Sequence, residues 1–242
     1  MTGLLVVTAV PAEADAIRAG LTVPRQRAAG LPGQVPAGPG ALADSAPPSR
    51  EVTVAPVGVG PAVAAAATAR LLALAEGAGR PYGAVVSAGI AGGFAGRIAV
   101  GGTVLATRSV AADLGAESPD GFIPVDELGM PPELLGGGTA VPVDPGLLAT
   151  LRAALPAATV GAVLTVSTVT GTAGSTRALA DRYPDAVAEA MEGYGVAVAA
   201  AQAGLPFAEL RTVSNPIGPR DRGAWRMREA FEALTAAAAA LV

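Results

Sequence analysis

Short apolar runs, each bounded by glycine, proline or a polar cluster, recur along this chain and limit the folds open to it. Four of them are Leu4–Ala9, Ala84–Ser87, Thr159–Val166 and Phe207–Val213. A continuous apolar run of roughly four to eight residues is typical of a parallel strand that is covered on both faces. We expect further strands at Val52–Val57 and Val100–Val110.

Alanine-rich and amphipathic stretches separate these runs and predict helices. The expected helices are Ala12–Leu21, Pro61–Ala75, Arg177–Tyr183, Pro184–Ala203 and Arg226–Leu241. Strands that alternate with helices predict an α/β protein, here a single three-layer α/β/α domain over residues 1–242. Residues 23–50 are rich in Pro, Gly, Ala and Arg without periodicity, and we expect them to form a flexible excursion.

The side-chain inventory excludes several kinds of catalysis. The chain has no histidine, cysteine or lysine, so all 16 of its basic residues are arginines. It therefore has no Ser-His-Asp or Cys-His triad, no lysine Schiff base and no zinc site of histidine and cysteine ligands. Catalysis would have to use carboxylates, hydroxyls, amides, arginines and backbone groups, and nothing calls for a metal or another cofactor.

Charge and hydropathy bear on the localisation of the protein and on the partners it can bind. A formal net charge of −4 argues against broad attraction to nucleic acid. Glycine, proline or a charge interrupts each apolar run before it reaches membrane-spanning length, and residues 1–7 lack the basic start of a secretory signal. We expect a cytoplasmic protein that binds neither nucleic acid nor a membrane.

Two polar positions near the C-terminus are candidates for function. Glu192 interrupts a predicted apolar helix, and a buried carboxylate needs a partner or a purpose. Asn215 follows the predicted strand Phe207–Val213, and ligands of α/β proteins bind at the carboxyl ends of strands. Beside it, Ser214 could orient the amide and Arg211 could anchor the end of the strand.

Two earlier segments add to this set. Glu13 lies at the start of the first predicted helix, where the helix dipole by itself favours a carboxylate. The segment 87–94 is rich in small residues, including Gly89 and Gly92, which would let a planar ligand lie against the backbone.

These motifs, in this order, resemble the superfamily of methylthioadenosine/S-adenosylhomocysteine nucleosidases and purine nucleoside phosphorylases, and most nearly its futalosine hydrolases. The resemblance covers nearly the whole chain outside residues 23–50. It implies a nucleoside phosphorylase-like fold with a central mixed, twisted sheet, and a homo-oligomer. It also implies hydrolysis of a 6-oxopurine nucleoside, namely futalosine to hypoxanthine and dehypoxanthine futalosine in menaquinone biosynthesis.

The resemblance assigns roles around the sugar. Glu13, within the sequence Ala-Val-Pro-Ala-Glu, would activate the attacking water. Glu192 would accept hydrogen bonds from ribose hydroxyls while Met191 packs against the sugar. Many nucleosidases carry serine where this chain has Ile90, and the small residues Ala91 and Gly92 follow it.

Around the base, the resemblance points to Thr170 and Asn215. Thr170 matches a place where family members use backbone groups, whereas Asn215 replaces the aspartate of most adenine-specific members. An amide could donate both N–H groups to O6 and N7 of a 6-oxopurine, but it would meet a 6-amino group donor to donor. A mispaired buried polar edge costs about 1–3 kcal/mol, so we expect hypoxanthine or guanine. Arg220, Arg222 and Arg226 are candidates for binding a substrate carboxylate, although an exposed helix start explains them equally well.

Three alternatives remain open from the sequence. A purine nucleoside phosphorylase would need a phosphate site, and the absence of arginine between Met1 and Ile17 favours water as the nucleophile. An adenine-type nucleosidase of the same superfamily is the second alternative. The third is a nucleoside-binding regulator without turnover, against which the presence of both Glu13 and Glu192 argues.

Overall fold

The computed structural model describes residues 3–22, 51–131, 134 and 138–242. Its strands are β1 (Gly3–Thr8), β2 (Val52–Pro56), β3 (Tyr82–Gly93), β4 (Thr103–Ala111), β5 (Gly115–Ser118), β6 (Gly121–Pro124), β7 (Ala140–Pro142), β8 (Thr159–Thr165), β9 (Ala186–Ala190) and β10 (Phe207–Pro216). Its helices are α1 (Pro11–Leu21), α2 (Pro61–Gly77), α3 (Pro145–Ala154), α4 (Ala173–Arg182), α5 (Gly193–Gln202) and α6 (Met227–Ala238). The excursion predicted at 23–50 lies outside the described residues.

Within these ranges, eight strands form one mixed sheet in the order β10-β4-β8-β9-β3-β1-β2, with β7 added to β4. The sheet closes on itself because β10 pairs in parallel with β3 as well as antiparallel with β4. The helices α1 and α6 pack against each other, as do α2 and α5. The predicted α/β class with a mixed central sheet is confirmed. No described helix combines the length and the apolar character needed to cross a membrane.

The core follows from the composition, since aliphatic side chains and alanine fill it. Leu5, Val6 and Val85 are fully or almost fully buried on neighbouring strands. Glycine lets the helices approach closely: a Cβ on Gly20 would overlap the carbonyl oxygen of Thr235 on α6.

The helix predicted over Pro184–Ala203 is wrong in its first half. Residues 186–190 form the buried strand β9, and α5 begins only at Gly193. A short apolar run has no periodicity that separates a strand from a buried helix, and here the gap between β8 and β3 decides the outcome. Glu192 therefore lies at the junction of β9 and α5 rather than inside a helix.

The strand predicted at Ala84–Ser87 is longer than expected, because β3 continues through the segment 87–94 to Gly93. The strand predicted at Phe207–Val213 likewise extends to Pro216 and pairs with β3 over this length. Arg211 thus lies in the middle of β10 and not at its end. The backbone that faces the site is part of the sheet, and this fixes its position.

Candidate active site

Glu13 is held in place by backbone N–H groups from two parts of the chain. Its Oε2 accepts from Ala9 at 2.8 Å and from Val10 at 3.1 Å, in the turn between β1 and α1. Its Oε1 accepts from Ile90 of β3 at 2.9 Å. The residue is buried, with 3% of its surface exposed. Oε1 accepts one hydrogen bond from the described residues and keeps a lone pair for a water molecule.

Glu192 is fixed from two sides at the start of α5. Its Oε1 accepts from the Gly60 N–H at 3.3 Å, and its Oε2 lies 3.4 Å from Nη1 of Arg211. Gly60 has φ +93°, a conformation that favours glycine, and it directly precedes α2. The turn between β2 and α2 therefore reaches the site by holding the Glu192 carboxylate.

Arg211 is buried and links Glu192 to two further polar side chains. Its Nε donates to Glu209 at 2.8 Å and its Nη2 donates to the Ser87 hydroxyl at 3.0 Å, in addition to its contact with Glu192. Burial by itself would lower the pKa of Arg211, but the charges of Glu209, Glu192 and Glu13 outweigh it and raise that pKa. The guanidinium is a buried permanent charge that positions the carboxylates.

Glu209 is the deepest member of this cluster. Burial raises its pKa, and the charge of Arg211 and a hydrogen bond from the Ser109 hydroxyl oppose that rise. A Cβ on Gly193 would overlap the Glu209 carboxylate, so α5 can start here only with glycine. Gly89 has a similar part, because its Cβ would lie 2.5 Å from Oε1 of Glu13 and 2.9 Å from Nη1 of Arg211.

Asn215 lies half-buried near the end of β10, with its amide orientation set by its neighbours. Its Nδ2 donates to the Pro216 carbonyl at 3.0 Å, and because a carbonyl can only accept, this contact fixes which end of the amide is nitrogen. The Ser214 hydroxyl then donates to Oδ1 at 2.8 Å. One N–H of Asn215 is thus already engaged, and one remains for a ligand.

A cavity of about 110 Å³ opens beside this amide. Gly92, Thr170, Glu189 and Trp225 line it together with Asn215, and Arg220 lies at its edge with its guanidinium 5.7 Å from the Trp225 ring. Gly92, which lines the cavity, lies two residues along β3 from Ile90, whose N–H binds Glu13, so the cavity neighbours the carboxylate cluster.

Several predicted site residues contact the protein itself. The Ile90 N–H donates to Glu13, and the Ala91 carbonyl lies 3.2 Å from the Ser214 hydroxyl. Met191 is half-buried and directly precedes Glu192. Arg226 donates to the Gly223 carbonyl at 2.8 Å.

Two functional candidates were missed by the sequence analysis. Glu189 was hidden in the wrongly predicted helix, yet it is buried and accepts the Thr170 N–H at 2.8 Å and the Thr170 hydroxyl. Burial raises the pKa of Glu189, and the two bonds from Thr170 oppose the rise. Glu209 could have been found, because it and Arg211 are two residues apart in an apolar strand and therefore share a face.

Comparison with known proteins shows which superfamily the chain belongs to. Residues 4–242 match the model of the phosphorylase superfamily. An adenine complex of the methylthioadenosine/S-adenosylhomocysteine nucleosidase from Colwellia psychrerythraea has the same fold, with a TM-score of 0.72 at 21% identity over 99% of this chain and 96% of that one. A futalosine hydrolase mutant from Helicobacter pylori also has a TM-score of 0.72, at 16% identity over 100% and 98% of the two chains. The chain therefore belongs to the phosphorylase superfamily.

Closer relatives narrow the family. The futalosine hydrolase of Streptomyces coelicolor is 50% identical over 96% of this chain and 92% of its own length. That of Acidothermus cellulolyticus is 46% identical over 96% and 90%. The chain belongs to the futalosine hydrolase family of this superfamily, which confirms the resemblance drawn from its motifs.

Proposed function

We propose that this protein hydrolyses the N-glycosidic bond of futalosine, releasing hypoxanthine and dehypoxanthine futalosine. The activity named for its relatives in Streptomyces and Acidothermus supports this substrate. The structural observation that carries the proposal is the pair of buried carboxylates, Glu13 and Glu192, arranged about Arg211 and next to the cavity that Asn215 lines.

In this proposal Glu13 is the general base. Water bound at the remaining lone pair of Oε1 gives a proton to the carboxylate while its oxygen bonds to the anomeric carbon. The C–N bond breaks, and its electron pair passes to the purine, which takes a proton from solvent to leave as hypoxanthine while Glu13 returns its proton to solvent. The N–H groups of Ala9, Val10 and Ile90 keep the carboxylate at one position throughout, so its reach does not depend on a flexible side chain.

Glu192 and Asn215 act on the two parts that separate. Glu192 accepts hydrogen bonds from ribose hydroxyls, and these bonds strengthen as the sugar develops oxocarbenium character. The free N–H of Asn215 bonds to the N7–O6 edge and stabilises the departing base. Arg211 does not contact the substrate in this mechanism but holds Glu192 through its Nη1.

Electrostatics favours water over phosphate as the nucleophile. Three carboxylates, Glu13, Glu192 and Glu209, surround Arg211, whose hydrogen bonds all go to protein groups. A phosphate anion placed there would meet negative charge, and the guanidinium of Arg211 is already engaged by Glu209, Glu192 and Ser87. This argues against the phosphorylase alternative, and the side-chain donor at Asn215 argues against the adenine-type nucleosidase.

We further infer a cytoplasmic homo-oligomer that works in menaquinone biosynthesis. The pathway follows from the substrate that the resemblance implies. Leu114, Leu128, Met130 and Leu134 are large apolar side chains that remain exposed in one segment of the chain, as expected of a surface covered by another subunit. Light scattering on the purified protein measures the subunit count.

The test is an assay with futalosine in the presence and absence of phosphate, followed by chromatography of base and sugar. We expect hypoxanthine and a free sugar at a rate independent of phosphate. Glu13→Gln should slow hydrolysis by about 10²- to 10⁴-fold. Asp15→Asn makes the same chemical change on an exposed part of α1 and should leave the rate unchanged. A Glu13→Gln rate equal to that of the wild type, or sugar phosphate as the product, would refute the mechanism.

A further inference from the structure

Glu189, Gly92 and Asn215 lie in one row across three adjacent strands. Gly92 of β3 is the register partner of Glu189 on β9 and of Asn215 on β10. Two strand spacings separate the outer residues, so their Cα atoms are about 10 Å apart. Paired residues direct their side chains to the same face of a sheet, and here both outer side chains line one cavity.

Gly92 makes the middle of this row open. A Cβ at this position would approach the Ile217 side chain to 3.0 Å and Nδ2 of Asn215 to 3.6 Å. Without a side chain there, a flat ring can lie over the backbone between the amide on one side and the carboxylate on the other. The half-buried ring of Trp225 lines the same cavity and offers an apolar surface to such a ligand.

The two flanking groups present opposite hydrogen-bonding characters. Asn215 offers its remaining N–H, because Pro216 and Ser214 fix the orientation of the amide. Glu189 offers acceptors: each of its oxygens takes one hydrogen bond from Thr170 and retains a lone pair. The Thr170 N–H is consumed by Glu189 and cannot bind a base directly in this arrangement.

A 6-oxopurine matches this pattern along one edge. Its N7 and O6 are acceptors, and the adjacent N1 carries a hydrogen. Adenine reverses the last two positions, because its 6-amino group donates and its N1 accepts. We propose that Glu189 selects the base by accepting the N1–H of hypoxanthine while Asn215 donates to the N7–O6 edge. This inference rests on the proposed function for its substrate, and it assigns to Glu189 a specificity role that the sequence did not suggest.

A purely structural role for Glu189 would be to tie Thr170 to β9. Both hydroxyl and backbone N–H of Thr170 do reach it, so this tie exists. A tie of this kind needs only an acceptor, which an amide oxygen would supply while avoiding the cost of burying an ionisable group. A carboxylate is favoured over an amide at this position if it also accepts a hydrogen bond from the N1–H of a base in the cavity.

Glu189→Gln is a sharp test because Thr170 dictates how the amide is oriented. The Thr170 N–H can only donate, so it takes the glutamine oxygen, and the glutamine nitrogen then occupies the place of the other carboxylate oxygen. That nitrogen donates one hydrogen to the Thr170 hydroxyl and offers the second to the cavity. The variant therefore presents a donor where the wild type has an acceptor, with almost unchanged shape.

The experiment measures binding of free hypoxanthine and free adenine through the fluorescence of Trp225, the one tryptophan of the chain. We expect the wild type to prefer hypoxanthine and Glu189→Gln to lower the ratio of the two affinities by about 10- to 100-fold. Glu232→Gln, the same change at an exposed site on α6, should leave the ratio as it is. An unchanged ratio in a folded Glu189→Gln protein would overturn the assignment.

Two further measurements keep the result decisive. Glu189→Asp retains the charge but withdraws it by one methylene, so hypoxanthine affinity should fall while the preference over adenine persists; a switch to adenine would contradict the proposal. Base binding needs no turnover, so a protein that selects hypoxanthine but does not cleave futalosine refutes the proposed function alone. Turnover of futalosine with a base preference that ignores residue 189 refutes the role of Glu189 alone.

Discussion

Arg211→Met tests the physical basis of the site most directly. The substitution keeps an unbranched side chain but removes the guanidinium from between Glu209 and Glu192. Both carboxylates then remain buried without that cation, and breaking a buried ion pair from one side costs about 3–5 kcal/mol. Since a domain unfolds with a free energy of about 5–15 kcal/mol, the loss is a large fraction of the total.

The expected change is measurable by thermal unfolding. In a chain of this length 1 kcal/mol corresponds to about 2–4 °C, so Arg211→Met should lower Tm by about 6–20 °C. Arg18→Met removes an arginine from an exposed pair with Asp15 and should cost about 1 kcal/mol or less. Substituting Glu209 by leucine as well should return part of the lost stability, because one unpaired charge disappears.

The stability of Arg211→Met should also depend on pH in a definite direction. Burial raises the pKa of Glu209, and the loss of Arg211 removes the charge that opposes this rise. A carboxylate with a raised folded-state pKa stabilises the protein below its ordinary pKa, and that contribution disappears as pH rises through the folded-state value. The Tm difference between Arg211→Met and wild type should therefore narrow in acid. The reasoning would be refuted if Arg211→Met lowered Tm by less than about 3 °C at neutral pH, or if the Tm difference between variant and wild type widened in acid.

Three further outcomes are expected. Gly20→Ala should lower the free energy of unfolding by about 1–3 kcal/mol in urea titrations, because α6 leaves no room for a methyl group, whereas Gly77→Ala has open space and should be neutral or stabilising. Asn215→Asp should shift the ratio of kcat/KM toward an adenine nucleoside, measured by competition, since a protonated acid can donate to N7 and accept from the 6-amino group; an unaltered ratio would remove this residue from base recognition. Because burial raises the pKa of Glu189, its stabilising contribution is present below the ordinary pKa of a glutamate and is lost as pH rises through the raised value. The wild type should therefore lose stability relative to Glu189→Gln as pH rises, and a stability difference in urea that does not change with pH would contradict this.

Much of this fold was accessible from the sequence because buried parallel strands have a strong local pattern. Leu4–Ala9 and Thr159–Val166 were placed within one residue at each end, since an uninterrupted aliphatic run of that length leaves few alternatives. The helix α3 was missed although it carries a local signal. Asp144 precedes a proline and caps the Leu147 N–H at 2.9 Å, a combination that marks a helix start.

In the site, too, some features have a local sequence signal and others do not. The sequence singles out Glu13, Glu192 and Asn215 as candidates, because each is a polar side chain at a predicted helix start, in an apolar run or after a predicted strand. The tie between Arg211 and Glu192 could not be found, because it joins β10 to the β9–α5 junction through tertiary contacts that no local pattern encodes. The sequence therefore indicates candidate side chains, whereas packing determines what each of them contacts.

Glu189 shows why part of the site cannot be predicted from any one segment of the sequence. Its strand reads Ala-Val-Ala-Glu-Ala, and alanine-rich sequence gives no preference strong enough to override the gap that β8 and β3 leave for it. Its role depends on the register that sets it opposite Gly92, and a shift of β9 by one residue would turn the carboxylate to the other face of the sheet. The same glycine then serves two purposes, since it closes the sheet against β10 and leaves the space in which a base can lie between a donor and an acceptor. Selection of the base is therefore a property of the pairing of three strands and is not encoded by any one of them.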